Sequence, residues 1–153
     1  MLSRNDLDKI KKEIEDFLRK MTIEVETESF QQKEDTVFFD IRVKEPQILI
    51  GEQGQTLLDI QHLLSVILRK KIEEKFFLDL DINDYKKKKI EYLKEMARSV
   101  ADEVALIKKE KALPAMPAYE RRIIHMELAE RGNVTTESVG EEPERRLVIK
   151  PYP

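Results

Sequence analysis

The chain has 153 residues, enough for one ordinary domain or two small ones, and its 41% hydrophobic content can supply a packed core. Cysteine is absent, which excludes disulfides, thiolate nucleophiles and zinc held by thiolates. No apolar run approaches the roughly 20 residues that cross a bilayer, and Met1–Asp16 alternates charge with hydrophobes where a signal peptide needs a continuous apolar stretch. These features read as a soluble, cytoplasmic protein with no cofactor and no membrane span of its own.

A formal net charge of −3 provides no global basic field, so any nucleic-acid binding must rest on local patches. Residues 1–83 hold 13 Lys/Arg against 18 Asp/Glu (net −5), and residues 84–153 hold 15 against 13 (net +2). The second half is therefore the anion-facing candidate.

Taken in chain order, "NDLDKIKKEIEDFLRKM" places Leu7, Ile10, Ile14, Phe17 and Met21 at three- and four-residue steps, predicting an amphipathic helix with Asn5 as its N-cap. "TIEVETES" and "DTVFFDIRV" carry the β-branched and aromatic residues of two antiparallel strands, separated by polar Phe30–Asp35. Pro46 stops the second strand, and "QILI" leaves room for one helical turn before Gly51. Beyond Gly54, Leu57, Ile60, Leu64, Ile67 and Leu68 mark another amphipathic helix. "FFLDLDI" alternates as a half-buried strand.

From Asn83 or Asp84 as cap, the apolar series Ile90, Leu93, Ala97, Val100, Val104 and Ile107 predicts a long helix reaching Leu113, where Pro114 ends it. "AYERRIIHMELAER" predicts a shorter helix with Ile123, Ile124, Leu128 and Met126 on its apolar side. "NVTTESV" and "RRLVIK" predict two closing strands joined through Gly140–Pro143. The fold class is α+β, in two domains, 1–83 and 84–153.

Two constellations could carry function. In "LIGEQGQTL", Gly51 and Gly54 stand three apart at a loop-to-helix junction, where glycine permits positive φ and close backbone approach. For an isolated pair, a tight turn packing two helices is the ordinary explanation. In "YERRIIHMEL", Arg121 and His125 are four apart on one helix face, a phosphate donor beside a ring that can stack or hydrogen-bond; a salt-bridged Arg and a satisfied His form the structural alternative.

Lys86–Lys89 surround the first turn of the long helix. The ordinary explanation is a solvated face, but four cations at a helix N-terminus oppose its dipole and invite a nearby anion. His62 reads as structural, and Tyr119 as either a base-stacking or a packing residue. Two histidines, no cysteine and no nucleophile motif leave nothing that reads as an enzyme.

The G-x-x-G loop, preceded by two strands and followed by a helix and a strand, resembles a KH domain of the type II arrangement (α-β-β-α-α-β). "MPAYERRIIH" with "SVGEEPERRLVI" closely resembles the R-three-H domain, and the two in this order resemble the bacterial Jag/KhpB family from about residue 8 to 150. The resemblance implies a non-catalytic protein that binds single-stranded RNA or DNA, an RNA regulator or chaperone. Its contacts would fall at Gly51, Glu52, Gln53 and Gly54, at Arg121, Arg122 and His125, at Arg145 and Arg146, and at the lysines Lys86 and Lys87.

Typical loops of this type carry Lys or Arg where Glu52 stands, which disfavours phosphate. The competing reading is therefore a protein-interaction adaptor whose KH half docks a partner. For partners the resemblance implies a second small KH protein and, less directly, the membrane-protein insertase machinery. Longer family members begin with an additional N-terminal domain, whereas only a helix precedes the first strand here.

Overall fold

The computed structural model describes residues 1–153, which divide into two compact units, Met1–Lys86 and Lys87–Pro153. No helix is long and apolar enough to cross a membrane.

The first unit opens with α1 (Arg4–Lys20). Its cap is Ser3 rather than the expected Asn5: the Asp6 N–H donates to Ser3 Oγ, and the Asp6 carboxylate accepts from the Ser3 N–H and hydroxyl. Two helix-end donors are thus satisfied reciprocally. These bonds, the Ser3 hydroxyl foremost, hold the Asp6 carboxyl below its usual value. The cap therefore contributes fully above the ordinary carboxylate range and fades as pH falls through it.

β1 (Glu26–Lys33) and β2 (Thr36–Arg42) form an antiparallel hairpin. The first strand runs further than its composition implies. "QQK" pairs with "TVF" and reduces the connection to Glu34 and Asp35, with Glu34 at φ 56°. Cross-strand hydrogen bonding overrides the low strand propensity of these polar residues.

After α2 (Pro46–Ile50) and a single 3-10 turn at Glu52–Gly54 comes α3 (Gln55–Arg69), which leads to β3 (Phe77–Ile82). β3 pairs parallel to β2, giving sheet order β1-β2-β3. Alternation puts Val37, Phe39, Ile41, Leu78, Leu80 and Ile82 on one face, where they bury against Ile10, Ile14 and Leu18 of α1 and Leu57, Ile60, Leu64 and Leu68 of α3. Each such side chain contributes about 1.5–3 kcal/mol relative to exposure. Met21, expected on this face, is exposed.

β3 runs into α4 (Tyr85–Ile107) through Asn83 and Asp84, both at positive φ. Asn83, one of the two predicted caps, is engaged elsewhere. The Asn83 side chain bridges Val43, accepting from its N–H at 2.9 Å and donating to its carbonyl at 3.0 Å. Asp84 pairs with Arg42, and the carboxylate that receives the Lys86 N–H is Asp81.

In the second unit, α4 stops at Ile107 rather than running to Leu113. Lys108 adopts φ 59°, and Lys111 and Ala112 form β4 against β6. α5 (Ala118–Leu128), β5 (Val134–Val139) and β6 (Arg146–Pro151) complete an antiparallel sheet of order β4-β6-β5. Its core is aliphatic: Leu93, Ala97, Ala101 and Val104 of α4 meet Ile124 and Leu128 of α5 and Val134, Leu147 and Ile149 of the sheet. Met126 is exposed, as Ile90 and Ile107 partly are.

The Asn83 bridge makes an unusual ordering of substitutions testable. Asn83→Ala loses both bonds and must also hold a Cβ at φ 50°, whereas Asn83→Gly loses only the bonds. Urea unfolding of the first unit should show the alanine variant less stable than the glycine variant by about 1 kcal/mol, the reverse of the order expected at an ordinary position.

Candidate nucleic-acid interface

The second unit's site is built on the first turns of α5. Pro117 precedes the helix, and its carbonyl accepts from the N–H groups of Glu120 and Arg121. Arg121 therefore projects from the opening turn, where it points inward and is only 8% exposed. Its Nη1 donates to the carbonyls of Met116 (3.0 Å) and Arg145 (3.4 Å), and its Nη2 to Glu142 Oε1 (2.8 Å).

Arg121, read from the sequence as a phosphate donor beside the imidazole or as a salt-bridged structural residue, is thus buried and bonded to the protein itself. Arg121 fixes the connection between β5 and β6 to the start of α5, and the Arg145 carbonyl that it holds also receives the Met116 N–H. A planar fork with five donors suits this bridging of several acceptors.

His125, one turn on, is exposed and lies 2.6 Å from Thr136 Oγ1 through its Nδ1. Ser138, two residues along the same strand and so on the same face, accepts from Arg145 Nε at 2.8 Å. The edge strand β5 thereby presents a row of two hydroxyls engaged by an imidazole and a guanidinium. Arg145 is exposed with no acidic partner, and Arg122 is exposed and makes no ion pair or hydrogen bond. Arg146 turns back on Glu144. Among the predicted cations, Arg122 and Arg145 remain available to a phosphate.

The lysine run is mostly engaged by the protein itself. Lys86 Nζ donates to Asp79 (2.6 Å) and to Gln61 Oε1, an oxygen that also accepts the Leu80 N–H. Lys89 lies 3.7 Å from the buried Glu120. The anion that four lysines at a helix N-terminus call for is thus supplied internally, by Asp79, Asp81 and Glu120. Lys87 and Lys88 are exposed.

In the first unit, Gly51 (φ 71°) and Gly54 (φ 80°) are required by local packing. A Cβ at Gly51 would stand 2.1 Å from Thr56 Oγ1, and one at Gly54 2.8 Å from the Tyr85 ring. The Gly51 N–H donates to the Gln47 carbonyl and the Gly54 N–H to the Gly51 carbonyl. Glu52 and Gln53 face solvent, and Glu52 has no cationic partner. His62 is exposed on α3. Sequence reasoning missed Glu142, Thr136 and Ser138, whose places beside Arg121, His125 and Arg145 arise only from tertiary contacts. No group of three or more His, Cys, Asp or Glu side chains is placed to hold a metal ion.

The profile of the R-three-H domain matches residues 91–151. Three relatives share the name RNA-binding protein KhpB. That of Clostridium symbiosum is 33% identical over 129 residues, covering 84% of this chain and 58% of the relative. That of Bacillus subtilis is 35% identical over 121 residues, 78% of this chain and 58% of the relative. This chain belongs to the KhpB/Jag family. A third KhpB, from Lactiplantibacillus plantarum, is 37% identical over 102 residues, which cover 67% of this chain and 32% of that protein. The chain spans little more than half the length of the first two relatives and about a third of the other.

Within this family fold, truncating Arg121 leaves the Met116 carbonyl without its donor, the Arg145 carbonyl with the Met116 N–H alone, and the Glu142 carboxylate unpaired. Arg121→Ala should cost the second unit about 2–3 kcal/mol in urea unfolding, while Glu142→Gln, at a largely exposed partner, should cost under about 1 kcal/mol. The glycines give a parallel contrast. Gly54→Ala should destabilise by more than about 1 kcal/mol, and Gly132→Ala, whose Cβ would meet nothing within 4 Å, should be neutral or slightly stabilising.

Proposed function

We propose that the chain is a non-catalytic protein that binds single-stranded RNA, acting as a regulator or chaperone of RNA, with the second unit making the main contact. The observation that carries this reading is the pair of open cations, Arg122 and Arg145, beside His125 on a unit that matches the R-three-H profile. The shared name of the relatives supports RNA as the nucleic acid. Capture would be electrostatic, with Arg122 and Arg145 facing phosphates and His125 adding a hydrogen bond or a stack. Arg121 serves as the positioning residue that sets the course of the chain at Arg145.

The first unit, with its order α1-β1-β2-α2-α3-β3 and its G-x-x-G turn between α2 and α3, fits the type II KH arrangement. Its glycine turn would approach an RNA backbone. A second reading, in which this unit docks a partner protein instead, is favoured by one observation: Glu52 stands exposed and unpaired at the tip of the turn on an acidic unit. A second small KH protein and the insertase machinery are the partners this reading would take.

Fluorescence anisotropy with a short labelled single-stranded RNA separates the two. Arg122→Ala/Arg145→Ala should weaken binding at least tenfold and reduce the log–log salt slope by roughly 0.7 per cation removed. Unchanged affinity would overturn the assignment. Glu52→Lys should tighten binding if the turn faces RNA and leave it unchanged if that unit is a docking surface.

A further inference from the structure

All six phenylalanines of the chain lie in residues 1–86, and the second unit's aromatic side chains are Tyr92, Tyr119 and Tyr152. None of these three enters the second unit's aliphatic core. Tyr92 is 59% and Tyr119 44% exposed, so both present ring surface to solvent. Large exposed aromatics bring apolar area into water without a compensating burial.

Tyr92 and Tyr119 are also tied to one point. Lys89 Nζ stands 5.6 Å from the centroid of the Tyr92 ring and 3.7 Å from Glu120 Oε1. The same carboxylate oxygen accepts from the Tyr119 hydroxyl at 3.2 Å. An ammonium and a buried carboxylate thus bridge the two tyrosines, one from α4 and one from α5, and neutralise each other. Free cations flank the pair: Lys88 lies one turn before Tyr92 on α4, and Arg122 one turn after Tyr119 on α5.

Continuing along the exposed stripe of α5, Arg122 leads to His125, about 9 Å from Tyr119 along the helix axis. The stripe therefore runs from two rings through a cation to the hydroxyl row of β5. Apolar rings bordered by unpaired cations are what the bases and phosphates of a single strand require together. A duplex, with its bases already stacked, could not use them.

We infer that Tyr92 and Tyr119 form a stacking platform for an unpaired nucleobase of the RNA whose phosphates meet Arg122 and Arg145, with the Lys89–Glu120 pair fixing the platform's two sides. This rests on the RNA-binding reading above and adds to it a base subsite. Specificity at this subsite comes from stacking strength, so a modest preference for purines over pyrimidines follows.

The test compares two probes of equal length and charge, a single-stranded RNA and an abasic phosphodiester oligomer, against the full chain, its Tyr92→Ala/Tyr119→Ala variant and its Tyr92→Phe/Tyr119→Phe variant. Circular dichroism of each variant verifies the fold. The alanine variant should lose about tenfold or more on RNA and less than about twofold on the abasic oligomer, while the phenylalanine variant keeps RNA affinity within about twofold. Equal losses on both probes, no loss on either, or an equal loss in the phenylalanine variant would overturn the platform while leaving RNA binding intact. A wild-type chain that binds neither probe would overturn the RNA reading itself, and the platform with it.

Discussion

The second unit depends on one buried guanidinium. Arg121 gathers the Met116 carbonyl before α5, the Arg145 carbonyl before β6 and the Glu142 carboxylate from the connection between β5 and β6. These segments are irregular, and the guanidinium adds to the backbone bond between them, from the Met116 N–H to the Arg145 carbonyl. An arginine suits the position because its donors are fixed in one plane and its charge is never lost. With the connection pinned, Arg145 is set over Ser138, beside Thr136 and His125, and becomes a preorganised cation. The most conspicuous arginine of the motif thus acts by placing another one.

The same economy of charge operates at the start of α4. Counted along the sequence, Lys86–Lys89 are a concentrated basic patch. Folded, Lys86 belongs to Asp79 and Gln61, and Lys89 belongs to Glu120 and lies over Tyr92. What a nucleic acid can use is the set of cations left without an acid, and that set is smaller and differently placed than the sequence implies. On the second unit it includes Arg122, one turn from the exposed Tyr119, Lys88, one turn from the exposed Tyr92, and Arg145 over Ser138.

Most of the fold was legible because apolar spacing is dictated by burial. Ile10 and Ile14 of α1, Leu57 to Leu68 of α3 and the alternation in β2 and β3 all sit where their period places them. The departures share a cause: a long-range partner outweighed a local signal. Gln31, Gln32 and Lys33 became strand because β2 offered hydrogen bonds. Lys111 and Ala112 left the helix because β6 had an open edge, and Asn83 gave up capping to bridge Val43. Likewise, the i, i+4 spacing of Arg121 and His125 was readable, but not that the one would turn inward to carbonyls while the other stayed exposed. The glycines at 51 and 54 were visible as a turn; that their missing Cβ atoms make room for Thr56 and Tyr85 was not.

In the proposed binding mode RNA meets the second unit through Arg145, Arg122 and the tyrosines while Arg121 stays internal. A titration of the isotopically labelled full chain with a short single-stranded RNA, followed by NMR of backbone amides and arginine Nε–H groups, tests this most directly. Shifts are expected at Tyr92, Tyr119, Arg122, His125, Thr136, Ser138 and Arg145, with the Arg121 Nε–H nearly unmoved. Shifts confined to Gly51–Gly54, or a large displacement of the Arg121 side chain with Arg145 silent, would contradict it.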